Sequence, residues 1–159
     1  MTEQRKRIVE EIFKAFPKTQ PPDVRTLVEV QCPDAQLIKE NFGNQTWWQV
    51  SETVIAENFA RLPFFSITAY QYYLPAYVLY ALKSWNPFDN VVEYLIYDLE
   101  PFTVERDERR RAAFTDQQRQ IIVDFLSAVT DDKNFKRYHQ SASATALFWN
   151  APTMQKATS

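Results

Sequence analysis

Between Leu62 and Leu82 the chain carries no charged residue, a run long enough to cross a bilayer. A run like this is buried either in lipid or in protein. It contains Pro63, Pro75, Ser66, Thr68, Gln71 and five tyrosines. Tyrosine favours the membrane interface over the bilayer centre, so burial in protein is expected and a membrane partner is not. Tyr70, Tyr73, Tyr77 and Tyr80 recur at helical spacing and form one stripe. Leu74, Val78, Ala81 and Trp85 form the adjoining stripe, and Leu79 and Leu82 cover much of the rest. A helix that is apolar nearly all round belongs in the middle of a fold. Thr68 and Gln71 have the spacing of a capping box, which predicts a buried central helix over about 68–85. Pro75 is expected to kink it by deleting the bond to the carbonyl of Gln71. That freed carbonyl needs a partner, for which a tyrosine hydroxyl from a neighbouring element is a candidate.

The chain has 159 residues, which suits one domain with a sizeable core. Gly43 is the only glycine. Phosphate-cradling loops of the dinucleotide or Walker type need several glycines, so both are excluded. Tight β-hairpins also favour glycine, which argues against an all-β fold. Cys32 stands alone, leaving no internal disulfide and no thiolate metal cluster. With an N-terminus that lacks an apolar signal region, this predicts a cytoplasmic protein.

Taken in order, Ile8, Val9, Ile12, Phe13 and Phe16 make a helical stripe that ends at Pro17. Residues 17–22 hold three prolines and read as a linker or extended arm. Residues 24–30 fit a short helix and an isolated strand equally. Asp34 is expected to cap a helix through Phe42, with Gly43 at the left-handed position after it. Thr46 and Gln49 repeat the capping-box spacing and predict a helix to about Arg61. Asn86-Pro87 ends the central helix. Phe88 to Leu99 forms the next, with Asp89, Glu93, Tyr97 and Glu100 on its polar face and Asp98 on the apolar flank. Pro101 interrupts, and Glu105 to Arg111 is a mixed charge run. Thr115 and Gln118 open an amphipathic helix, and a last helix is expected from Asp132 to about Trp149. The expected fold is all-α: six or seven helices around the central one, in a single domain over 1–149. Residues 150–159 are expected to fray.

The segment Phe65-Ser-Ile-Thr-Ala-Tyr-Gln-Tyr-Tyr-Leu-Pro-Ala-Tyr77 resembles the core of a family of small bacterial proteins of unknown function. Gly43-Asn-Gln-Thr-Trp47 is similar to that family's upstream Gly-x-x-x-Trp element, although the doubled Trp47-Trp48 shifts the match by one residue. Phe114-Thr-Asp-Gln-Gln118 is similar to the start of a later helix. The resemblance runs from about Ile8 to Val129. It implies a bacterial, soluble, helical domain and no catalytic residue.

Candidate chemistry is sparse. His139 is the only histidine, near Ser141 and Ser143, but no orienting acid or oxyanion hole accompanies it. Asp89, Glu93 and Glu100 lie near one helix face and match a weak oxygen-ligand site for Mg²⁺ or Ca²⁺; a solvated surface is the simpler reading, and no metal or cofactor is expected. Asp98 needs a partner because an unpaired buried charge is costly, and Arg109 or Arg110 is the expected donor. The same arginines could instead bind an anion. Tyr70, Tyr73, Tyr77 and Tyr80 either pack the core or line a pocket. Trp47, Trp48 and Trp149 are candidates for an exposed aromatic patch that binds a partner.

Acidity is concentrated in the middle: residues 26–100 carry three bases and nine acids. No extended basic face appears, so no nucleic-acid partner is expected. The leading expectation is a non-enzymatic protein-interaction domain. The alternative is a small-molecule-binding or hydrolytic protein with a tyrosine- and carboxylate-lined pocket.

Overall fold

Ser66 shows how the central helix is placed. Its side chain accepts the amide of Ala69 and donates to the carbonyl of Thr26 at 2.7 Å, while its own amide donates to Leu27. One residue therefore caps the helix and fastens its start to a distant loop. In the computed structural model, described here over residues 1–152, this helix runs Ile67–Ser84. It starts two residues earlier than a Thr68 cap predicts, because Ser66 takes the capping role.

The described residues form an all-α domain with no strand. Its helices are α1 (Glu3–Ala15), α2 (Pro33–Phe42), α3 (Glu52–Glu57), α4 (Ile67–Ser84), α5 (Asn90–Asp98), α6 (Val104–Ala113), α7 (Asp116–Asp131) and α8 (His139–Asn150). The count of eight among the described residues exceeds the expected six or seven. The charge run 105–111 forms a helix of its own, α6, capped by Thr103, and is no loop. Residues 24–26, 62–64 and 133–138 form 3₁₀ turns, so the expected last helix is split and α8 begins at His139. Of the expected frayed end, Asn150 closes α8, and residues 153–159 lie outside the described residues.

Helix α4 sits at the centre and packs against α1, α3, α5 and α6, while α7 lies between α1 and α8. Its buried set surrounds the axis, from Ala69 and Tyr70 through Pro75 to Leu82. Pro75 is accommodated within one continuous helix. The tyrosine hydroxyls reach carbonyls and carboxylates other than the Gln71 carbonyl. Among the described residues no helix is long and apolar enough to cross a membrane.

Three further caps differ from expectation. Asp34 does not cap α2: the helix starts at Pro33 after Cys32, with no side-chain cap, and Asp34 lies in its first turn and pairs with Arg61 at 3.1 Å. Gly43 closes α2 at φ −55°, and the left-handed conformation falls on Asn44 at φ 61°. The glycine is needed for space: a Cβ there would lie 2.5 Å from the Lys39 carbonyl oxygen and 3.1 Å from a Val24 methyl. Thr46 to Gln49 forms a turn, with the threonine hydroxyl bonded to the Gln49 side chain at 2.8 Å. Helix α3 starts later, at the Ser51 cap.

Candidate functional site

The tyrosine stripe is built into the scaffold. Tyr70, Tyr73 and Tyr77 are buried, and each hydroxyl has a protein partner. Tyr73 donates to the Phe42 and Gln45 carbonyls at 2.9 and 2.7 Å, at the end of α2. Tyr77 donates to the Asn58 carbonyl at 2.8 Å, just past α3. Tyr70 reaches Asp98 at 2.8 Å. Tyr80, half-buried, bonds to Asp89 at 3.2 Å. Helix ends leave carbonyls without intrahelical partners, and a phenol supplies a donor on an apolar body. Burial pushes the Tyr70, Tyr73 and Tyr77 hydroxyls above the ordinary tyrosine range, so they stay neutral donors.

Asp98 and Arg110 form a buried pair, each side chain 5 % exposed and 3.3 Å apart. Arg110 also donates to the Asp98 carbonyl at 3.0 Å and lies 4.0 Å above the Tyr70 ring. Arg109, the other expected donor, points elsewhere and pairs with Glu29 at 3.0 Å. The remaining arginines of α6 are similarly engaged: Arg106 donates to the Glu100 carbonyl and Arg111 to the Phe148 carbonyl. Arg106, Arg110 and Arg111 thus serve carbonyls at the ends of α5 and α8, as cations do near helix C-termini. Each of these three guanidinium groups is thereby committed to bonds within the fold, which leaves the expected anion-binding role without an observation to support it.

The tryptophans do not form a joint exposed patch. Trp47 and Trp149 are buried, with indole N–H bonds to the Pro17 and Leu99 carbonyls at 3.1 and 2.9 Å. Trp48 is half-buried, against Trp47 and under the Lys18 ammonium. The buried edge of each indole needs an acceptor, and chain carbonyls provide it.

The other candidate groups have local duties. Asp89 caps α5 through the Val91 amide and accepts the Ser84 hydroxyl. Glu93 pairs with Arg137 at 3.1 Å, and Glu100 accepts the Ser141 hydroxyl. His139 bonds to the Asp132 carbonyl at 2.8 Å, so its ring and Ser141 have separate partners. Among the described residues no three His, Cys, Asp or Glu side chains gather as a metal site.

An exposed aromatic face instead lies on α5 and the connection to α6. Tyr94 and Tyr97 are 44 % and 49 % exposed, and Phe102 is 81 % exposed. Together with Phe59, Leu62 and Arg106 they line a cleft of about 260 Å³. Phe59 meets Tyr94 edge-on at 5.0 Å, and the Arg106 guanidinium lies 5.3 Å from the Phe102 ring. At the other end, Arg137 lies 5.5 Å from the exposed Phe88 ring. Sequence reading placed Tyr97 on a polar face and passed over Tyr94 and Phe102. The available signal was a pair of tyrosines at i, i+3 among acids, followed by Phe102 after a proline.

A family model described as "Family of unknown function (DUF6714)" matches residues 4–153, and the chain belongs to that family. No curated protein and no solved structure matches the chain.

Proposed function

We propose that this member of the family is a non-enzymatic domain that binds another protein through the aromatic face on α5. The observation that carries the reading is the shape of that face. Tyr94, Tyr97 and Phe102 surround a cleft of about 260 Å³, smaller than the roughly 300–1,000 Å³ typical of small-molecule sites. It suits one apolar side chain from a partner. Tyrosine and arginine are the residue types that dominate interface energetics, and here they flank a recess that a partner would seal from water. Exposed aromatics in such numbers on one face are also uncommon on a surface that stays in water. The proposal includes the bacterial, cytoplasmic setting. The lone Cys32 supports the reducing compartment, and the resemblance supports the bacterial source.

The test is native mass spectrometry of the tagged protein purified from its own host, wild type beside a Tyr97→Ala/Phe102→Ser variant. The wild type is expected to carry a stoichiometric protein partner that the variant loses while melting at the same temperature. A partner retained by the variant, or a bare wild-type monomer, overturns the assignment of this face.

A further inference from the structure

A second and larger cleft lies elsewhere in the fold, and it owes nothing to the α5 face. It has a volume of about 630 Å³ and sits where the end of α1, the proline arm 17–22, the first turns of α4 and the start of α7 meet. That volume falls inside the range of small-molecule sites. One wall is aromatic, from Phe16, Trp47 and Tyr72. The arm forms another wall and is tied down from below: the Trp47 indole donates to the Pro17 carbonyl and the Tyr72 hydroxyl to the Thr19 carbonyl at 2.8 Å. Prolines cannot donate from their own nitrogens, and these two side-chain donors fasten the arm by its carbonyls.

The floor is a pair of amides. Gln118 is 3 % exposed. Its carbonyl oxygen accepts from the Thr115 amide at 3.0 Å and from Gln71 Nε2 at 3.2 Å, and its Nε2 donates to the Ala15 carbonyl at 3.0 Å. A primary amide has two N–H donors and a carbonyl with two lone pairs. Gln71 therefore keeps its Oε1 and one N–H, and Gln118 keeps one N–H, after the bonds within the fold are made. Lys14 is the one charged side chain lining the cleft, and it already pairs with Glu11 at 3.3 Å.

We propose that this cleft binds an uncharged planar heterocycle bearing an amide-type edge, a lactam or a carboxamide. The ring packs on the aromatic wall, and the edge pairs with the donor and acceptor that Gln71 presents. A site built around such a pair discriminates strongly, because a ligand without the edge leaves the amide unpaired. The walls also disfavour a strongly charged ligand, since no free counter-charge faces the cleft.

The probes are nicotinamide, uracil and hypoxanthine at millimolar concentration, followed by saturation-transfer NMR and by amide shifts of the labelled full chain. At least one probe is expected to bind, with shifts centred on Thr68, Gln71 and Gln118. Gln71→Leu is expected to weaken it about tenfold or more, since both hydrogen bonds to the ligand edge are lost, while Tyr97→Ala leaves it unchanged. If none of the three binds, if the shifts map elsewhere, or if Gln71→Leu binds as tightly as wild type, the proposal fails. The shift map on the wild type decides the matter even where the leucine variant does not fold.

Discussion

Two sets of tyrosines in this chain have the same spacing and opposite fates. On α4, Tyr70, Tyr73 and Tyr77 are buried and each hydroxyl is bonded within the fold. On α5, Tyr94 and Tyr97 stand half in solvent around a small cleft. The difference comes from what surrounds each helix. Helix α4 packs against four others, and its buried phenols meet carbonyls at the ends of α2 and α3 and the Asp98 carboxylate on α5. Helix α5 packs on α4 and α3 and leaves Tyr94 and Tyr97 about half exposed. A tyrosine that spends its hydroxyl on a helix end is part of the frame. One whose ring stays exposed beside an arginine is free to meet a partner.

Substitutions should separate the frame from the exposed face by the size of their effects. Asp98→Ala is expected to cost the most, about 3–5 kcal/mol, because it strands Arg110 as an unpaired buried charge. Urea unfolding would measure it, and an unchanged midpoint would remove the pair from the frame. Tyr73→Phe should cost about 1–3 kcal/mol by removing the phenol donor from the Gln45 carbonyl, while the Phe42 carbonyl keeps the Gln45 amide. Tyr97→Ala or Phe102→Ser should shift stability by no more than about 0.5 kcal/mol, as exposed substitutions do. A large loss there would place these residues in the frame too.

The buried phenols also predict a response to alkali. Their hydroxyl pKa values are raised in the fold by burial, whereas an unfolded tyrosine ionises near about pH 10. The stability they contribute is therefore fully present below about pH 10 and is lost as the pH rises beyond it. Melting temperatures should fall across that window, and the fall should shrink in Tyr73→Phe, which removes one of the titrating groups.

Much of the frame was legible from local pattern. The tyrosine stripe located α4, and Asp98 on an apolar flank pointed to an arginine. Thr115 and Gln118 form the expected capping box with both reciprocal bonds. The same spacing at Thr46 and Gln49 misled. Its threonine bonds to the glutamine side chain, and Trp47 is drawn into the core against Phe13 and Phe16, leaving Ser51 to start the helix. Capping spacing offers a local option, and tertiary packing decides whether it is used. The charge run became helix α6 because Arg110 and Arg111 found buried carbonyls and carboxylates far away in sequence. The aromatic face was the least legible part, since exposure depends on how far the neighbouring elements cover each helix, and no residue pattern carries that.

The most direct test of the central claim is photo-crosslinking in the native host from a single reactive residue placed at position 102. The matched control places it at position 13, where the exposed Phe13 lies on α1 beside Lys18 and Trp47. A discrete crosslinked protein from position 102 and none from position 13 is the predicted result. Crosslinks from position 13 alone, or the same products from both, would contradict the assignment of protein binding to the face on α5.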